Sequence, residues 1–169
     1  MKNLFTLLIA VLCTATVFGQ RYAVIDTRYI LDKMAEYKTA QSKVEATAAE
    51  WQKEIDTKQA TLDKLYQSYD AEGAMMSADL KKKKEDELFD KEKELRDLQK
   101  KRFGFEGDLF KKRQELVKPV QDKVAAMVRK VASDNGYDLI FDKSEGNSII
   151  FADPKLDISD VVLKSLRVN

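Results

Sequence analysis

The chain has 169 residues, 35% of them charged, with 30 Lys+Arg against 29 Asp+Glu, no histidine and a single cysteine. That length holds one domain with appendages, and so much charge must line solvated helix faces, leaving a small core. The near-neutral balance gives no bulk pull toward nucleic acid or an anionic membrane surface, and the residue set is poor in catalytic side chains.

Residues Met1 to Gly19 have the layout of a secretory signal peptide: Lys2 as a short basic start, the apolar run Leu4 to Val11, and the exit Thr14-Ala15-Thr16-Val17-Phe18-Gly19. The apolar run is shorter than the roughly 20 residues of a membrane span. A lipid-anchored reading through Cys13 is disfavoured by the bulk of Leu12 before it. Export with cleavage after Gly19 is therefore expected. It removes the only cysteine, so no disulfide supports the fold, and it removes Lys2, which leaves 29 charges of each sign.

Residues 20–27 open a small β body, with Arg21 to Thr27 as a strand whose two faces are both apolar. Asp26 or Thr27 caps the helix that follows. Residues 28–116 read as an antiparallel helical hairpin. In its first half Ile30, Met34, Tyr37, Gln41, Val44, Ala48, Trp51, Ile55, Lys58, Leu62, Leu65 and Tyr69 recur at steps of four and three, the seam of a left-handed coiled coil. One continuous helix from about Arg28 to Asp70 is predicted, since no proline or glycine intervenes. The distal turn falls near residues 71–77, with Gly73 as a left-handed C-cap and Ser77 capping the return helix. The return seam is Leu88, Leu95, Leu98, Arg102, Phe105, Leu109 and Leu116, with Gly104 and Gly107 marking a kink. The run Lys81 to Lys84 is followed at once by Glu85, Asp86 and Glu87, which reads as a solvated helix tip.

Residues 117–169 complete the body. Pro119 bends a helix that ends at Ser133-Asp134-Asn135-Gly136. Tyr137 to Asp142 and Ser148 to Ala152 read as two further strands joined through the link 143–147, and a short helix capped by Asp157 to Asp160 closes the chain. The fold class is thus α+β, with a long coiled-coil hairpin inserted in a small β-sheet body. Three short strands bury little surface and leave open edges, so closure by symmetric association is expected. The oligomer body would be built on Val24, Ile25, Leu139, Ile140, Phe141, Ile149 and Phe151.

The two ends of the chain, Tyr22-Ala23-Val24-Ile25-Asp26-Thr27 with Tyr29-Ile30-Leu31, and Pro119-Val120 with Lys123-Val124, Gly136 to Asp142, Asp157-Ile158-Ser159 and Val162-Leu163, resemble the Skp/OmpH family of periplasmic chaperones. The resemblance implies a homotrimer whose helical hairpins enclose a cavity, holding unfolded outer-membrane proteins without ATP or any cofactor. The best-known member is strongly basic, and this chain departs from it in being neutral by count.

No catalytic, cofactor or metal site is expected: there is no Gly-x-Ser-x-Gly elbow, no phosphate-cradling glycine loop, and no loop to organise carboxylates around a cation. The candidate client-binding residues are Tyr66, Tyr69, Met75, Met76, Phe89, Phe103 and Phe110, apolar groups at or beyond the seam of adaptable shape. The competing reading packs them between the two helices and is favoured for Tyr66 and Tyr69. Two other functions stand beside the chaperone: an envelope scaffold docking one specific partner, and a basic-tip binder of anionic lipid or nucleic acid, which the neutral count disfavours.

Overall fold

The structure is a computed structural model that describes residues 20–144 and 149–168; the segment read as a signal peptide lies outside them. In chain order the elements are β1 (Tyr22–Ile25), α1 (Thr27–Lys33), α2 (Ala35–Glu72), a 3-10 turn (Gly73–Met75), α3 (Ala78–Phe103), α4 (Asp108–Leu116), α5 (Lys118–Asn135), β2 (Leu139–Asp142), a second 3-10 turn (Pro154–Leu156) and α6 (Ser159–Val168). They divide into two units, one of the residues up to Tyr29 and from Ala126 onward, the other Ile30–Ala125.

In the first unit β1 and β2 pair in parallel, Tyr22 opposite Leu139 and Ile25 opposite Asp142. A parallel pair needs a long crossover, and here the crossover is the whole hairpin. The other edge of β1 is also occupied: Val24 bridges Asp157 and accepts a 2.9 Å hydrogen bond from the Ile158 amide. β1 is therefore central, and Ala23, Val24 and Ile25 are buried. Asp26 is the cap of α1, its carboxylate accepting from the Tyr29 amide at 2.8 Å. Gly136, at φ 64°, ends α5 in the left-handed conformation that glycine adopts without strain, and the Tyr137 amide then reaches back to the Ala132 carbonyl at 2.9 Å.

One polar knot ties three segments of this unit. Ser159, only 3% exposed, accepts from the Asp26 amide at 2.8 Å and donates to the Asp157 carboxylate at 2.6 Å. Asp157 is in turn paired with Lys143 at 2.6 Å. Burial alone pushes the Asp157 carboxyl up, but Lys143 and Ser159 outweigh it and hold the group below its usual range.

The expected third strand is not formed. Within its described part, 149–152, Ile150 sits in a bend and Phe151 is 82% exposed, pairing with nothing. Both edges of β1 are already taken, so an isolated chain offers this segment only the outer edge of β2. Part of the link 143–147, together with Ser148, lies outside the described residues.

In the second unit α2, α3 and α4 pack through two apolar clusters. Ile55, Leu62, Leu88 and Leu95 form the distal one, with Leu65, Tyr69 and Leu98 against it. Ala40, Val44 and Val117 form the proximal one, with Tyr37, Leu109 and Leu116. Between them in seam order lies a polar layer. The Arg102 guanidinium stacks 4.7 Å over the Trp51 ring and pairs with Asp108 at 2.8 Å and Glu54 at 3.2 Å.

Four local expectations are corrected here. The first helix is broken at Met34, whose extended backbone (φ −89°, ψ 121°) separates α1 from α2, although no glycine or proline stands there. Gly73 is right-handed (φ −59°, ψ −29°), not a left-handed cap, because the chain reverses through the 3-10 turn. The glycines do more than kink a helix: α3 stops at Phe103, Glu106 takes φ 53°, and α4 starts afresh after Gly107. Pro119 stands in the first turn of α5, where its missing N–H has no partner to lose, so it starts a helix and does not bend one. Ser77 does cap α3, accepting from the Leu80 amide at 3.4 Å.

Candidate functional site

The hairpin carries its charge in short local pairs. Lys84–Glu87, Lys91–Glu94 and Lys112–Glu115 each span three residues at 3.0–3.1 Å. Such exposed pairs contribute little to stability, and they leave a solvated surface on which any large apolar side chain stands out.

Tyr66 and Tyr69 are committed to the hairpin itself. The Tyr66 hydroxyl donates to Glu92 and the Tyr69 hydroxyl to Glu85, so each ties α2 to α3. Those hydrogen bonds favour the neutral phenols, raising Tyr66 and pushing Tyr69 up to about 12. Glu92 is held below its usual range, first by Tyr66 and then by Arg96.

The other candidates face solvent to different degrees. Met75, in the distal turn, is 85% exposed and Phe89 is 61% exposed, while Met76 is half-buried. Phe103, the last residue of α3, and Phe110, in the first turn of α4, are both exposed. They flank Phe105, which is 98% exposed and is corrected from seam residue to surface residue. Its sequence held the signal: a side chain between Gly104 and Gly107 has no helix to keep it in heptad phase. Leu80, also exposed, carried no such mark.

The body has an apolar surface of its own. An open hollow of about 520 Å³ is lined by Tyr22, Phe141, Ile149, Ile150, Phe151 and Leu156 among others. Of the residues assigned to an oligomer body, Val24 and Ile25 are buried within the single chain. Leu139, Phe141 and Phe151 are exposed, and Ile140 and Ile149 are half-buried.

Among the described residues, no group of three or more Asp, Glu, His or Cys side chains could hold a metal ion, and no helix is long and apolar enough to cross a membrane. What the surface offers is scattered apolar contact on a charged scaffold.

Comparison with known proteins identifies that scaffold. The family model for OmpH-like outer membrane proteins matches residues 21–166. The chain belongs to the OmpH-like family. Among its relatives is the chaperone protein Skp of Yersinia enterocolitica, 25% identical over 159 residues, covering 94% of this chain and 93% of that protein. An uncharacterised protein of Aquifex aeolicus is 32% identical over 166 residues, covering 98% and 96%. The fold matches that of a Caulobacter crescentus protein described as an OmpH-like outer membrane chaperone, with a TM-score of 0.68 at 14% identity, covering 88% of this chain and 85% of the other. OmpH-like membership bears out the family resemblance and the α+β fold class, and it agrees with the expectation that the protein is not an enzyme.

Proposed function

We propose that this OmpH-like chain is an ATP-independent holdase of the periplasm, exported with a cleaved signal peptide, that binds unfolded outer-membrane proteins and prevents their aggregation. The carrying observation is the set of unpaired apolar side chains, Met75, Phe89, Phe103 and Phe110, standing on helices whose remaining surface is charged. Many weak apolar contacts suit clients with no fixed shape, and the surrounding charge keeps a loaded complex soluble. The name and near-complete coverage of the Yersinia relative support the same reading.

The working form is a homotrimer. In support, the outer edge of β2 is unpaired among the described residues, Phe151 further along the chain is exposed, and the body hollow is apolar; other copies would cover all three. Tyr66 and Tyr69 serve the hairpin and not the client.

The test is light scattering of a urea-unfolded β-barrel membrane protein diluted into the purified chain, with and without moderate salt, and with the mass of the chain measured alone and loaded. Suppression at a stoichiometric ratio of trimers is expected. Aggregation undiminished in both salts, with one tight partner recovered by pull-down, would replace the holdase with a scaffold.

A further inference from the structure

The start of β1 is fixed one residue inside the chain that cleavage after Gly19 would leave. The Arg21 amide donates to the Asp138 carboxylate at 2.8 Å. The Arg21 carbonyl accepts from the Asp138 amide at 2.8 Å and from the Leu139 amide at 3.4 Å. The Arg21 guanidinium also lies 5.3 Å from the centre of the Tyr137 ring. Gln20, by contrast, is exposed and belongs to no strand or helix.

Cleavage there makes Gln20 the amino-terminal residue, where glutamine has a chemistry that it lacks inside a chain. Its free α-amine can close a five-membered ring on its own side-chain amide carbon. In neutral solution part of any α-amine is unprotonated and nucleophilic.

Resting on the export reading, we propose that the cleaved chain closes Gln20 to a pyroglutamyl ring, which seals the start of β1 against stepwise removal from the amino end. The α-amine nitrogen bonds the side-chain amide carbon, and the bond from that carbon to Nε2 breaks. The departing nitrogen takes the amine proton and leaves as ammonia, so atoms and electrons balance without an oxidant, metal or nucleotide. The ring keeps the Gln20 carbonyl and the Arg21 amide, so the contact with Asp138 survives closure. Closure removes the positive charge of the terminus, and with it the amine that an aminopeptidase must grasp.

The first rung of the body depends on that seal. Loss of Gln20 bares Arg21, and loss of Arg21 deletes its hydrogen bonds with Asp138 and Leu139 and its stacking on Tyr137. The buried strand Ala23-Val24-Ile25 would then adjoin a fraying terminus, with its pairing to β2 shortened at one end.

The test expresses the full-length precursor in a Gram-negative host and isolates the chain from the periplasm. Intact mass and Edman degradation are read before and after warm incubation in neutral buffer. The expected mass is that of residues 20–169 less one ammonia, with Edman degradation blocked. The Gln20→Ser chain, cut at the same bond, should keep a free amine and an open Edman sequence. Under a broad-specificity aminopeptidase the original chain should keep its mass. The Gln20→Ser chain should lose its first two residues, and its urea midpoint should fall. A free Gln20 amine after incubation, or equal resistance of the two chains, overturns the proposal and leaves export and the holdase standing. A cut at another bond also overturns it, whereas periplasmic protein that retains Met1 removes the export reading beneath it.

Discussion

The glycines of the hairpin make opposite demands, and replacing them by alanine separates the two. A Cβ at Gly73 would meet nothing within 4 Å, and the backbone there is already right-handed. Gly73→Ala therefore narrows the unfolded ensemble at no steric cost and should stabilise the fold by about 0.4–1 kcal/mol. A Cβ at Gly107 would lie 2.7 Å from the Lys101 carbonyl oxygen and 2.9 Å from that of Gly104. Both neighbours are backbone, and the shorter contact falls about 0.7 Å inside ordinary van der Waals range. Forcing such an overlap costs about 1–3 kcal/mol, and the unfolded-state gain offsets part of it, so Gly107→Ala should destabilise by about 1–2 kcal/mol. Urea unfolding followed by helical circular dichroism and by Trp51 fluorescence, at matched protein concentration, measures both. Gly73→Ala less stable than the original chain, or Gly107→Ala no less stable, would refute the reasoning.

Three further outcomes follow from the polar contacts. Tyr69 has its folded pKa raised from 10.0 to about 12, so the stability it contributes is full below pH 10 and is lost as pH rises from there through about 12; Tyr69→Phe should flatten that alkaline loss of helicity. Asp157 and Asp142 are both held below their ordinary 3.8, so their contribution is present above that pH and is lost as pH falls through their folded values. An acid titration of Asp157→Asn should show a shallower decline than the original chain, and an unchanged acid limb would deny Asp157 this role. Ser159→Ala leaves the Asp26 amide without its acceptor and should cost about 1–3 kcal/mol, read as a lower urea midpoint with an unchanged slope.

The sequence was most readable where a pattern repeats. Val44, Ile55, Leu62, Leu88 and Leu95 keep heptad spacing over many turns, and the structure buries each of them. Single-residue events were harder. Met34 leaves the helix with no glycine or proline to announce it. Gly104 and Gly107 announced a disturbance, but its size, a full stop with Phe105 turned outward, depends on backbone approach that spacing does not encode. Residues 149–152 have strand composition and no strand: both edges of β1 are occupied, the outer edge of β2 is left unused, and composition says nothing about which edges a segment takes. The exposed phenylalanines of the α3–α4 break were legible only in part, for Phe105 satisfied the heptad count while belonging to the loop.

The parallel pairing of β1 with β2 also sets the order in which the protein can form. Partners in that ladder stand 117 residues apart, as the Arg21 to Asp138 contact at its start illustrates. Pairings so distant are slow, because loop closure must come before any contact rewards it. The hairpin, by contrast, zips from a local turn, and an antiparallel hairpin shortens the loop that remains. β1 is thus the first element to emerge and the last to find its neighbours, with Ala23, Val24 and Ile25 uncovered meanwhile. A chain ending at Gly136 would lose β2 and Asp157 together, and β1 would have no edge partner at all. A protein proposed to shelter unpaired strands must itself carry one until its synthesis is complete.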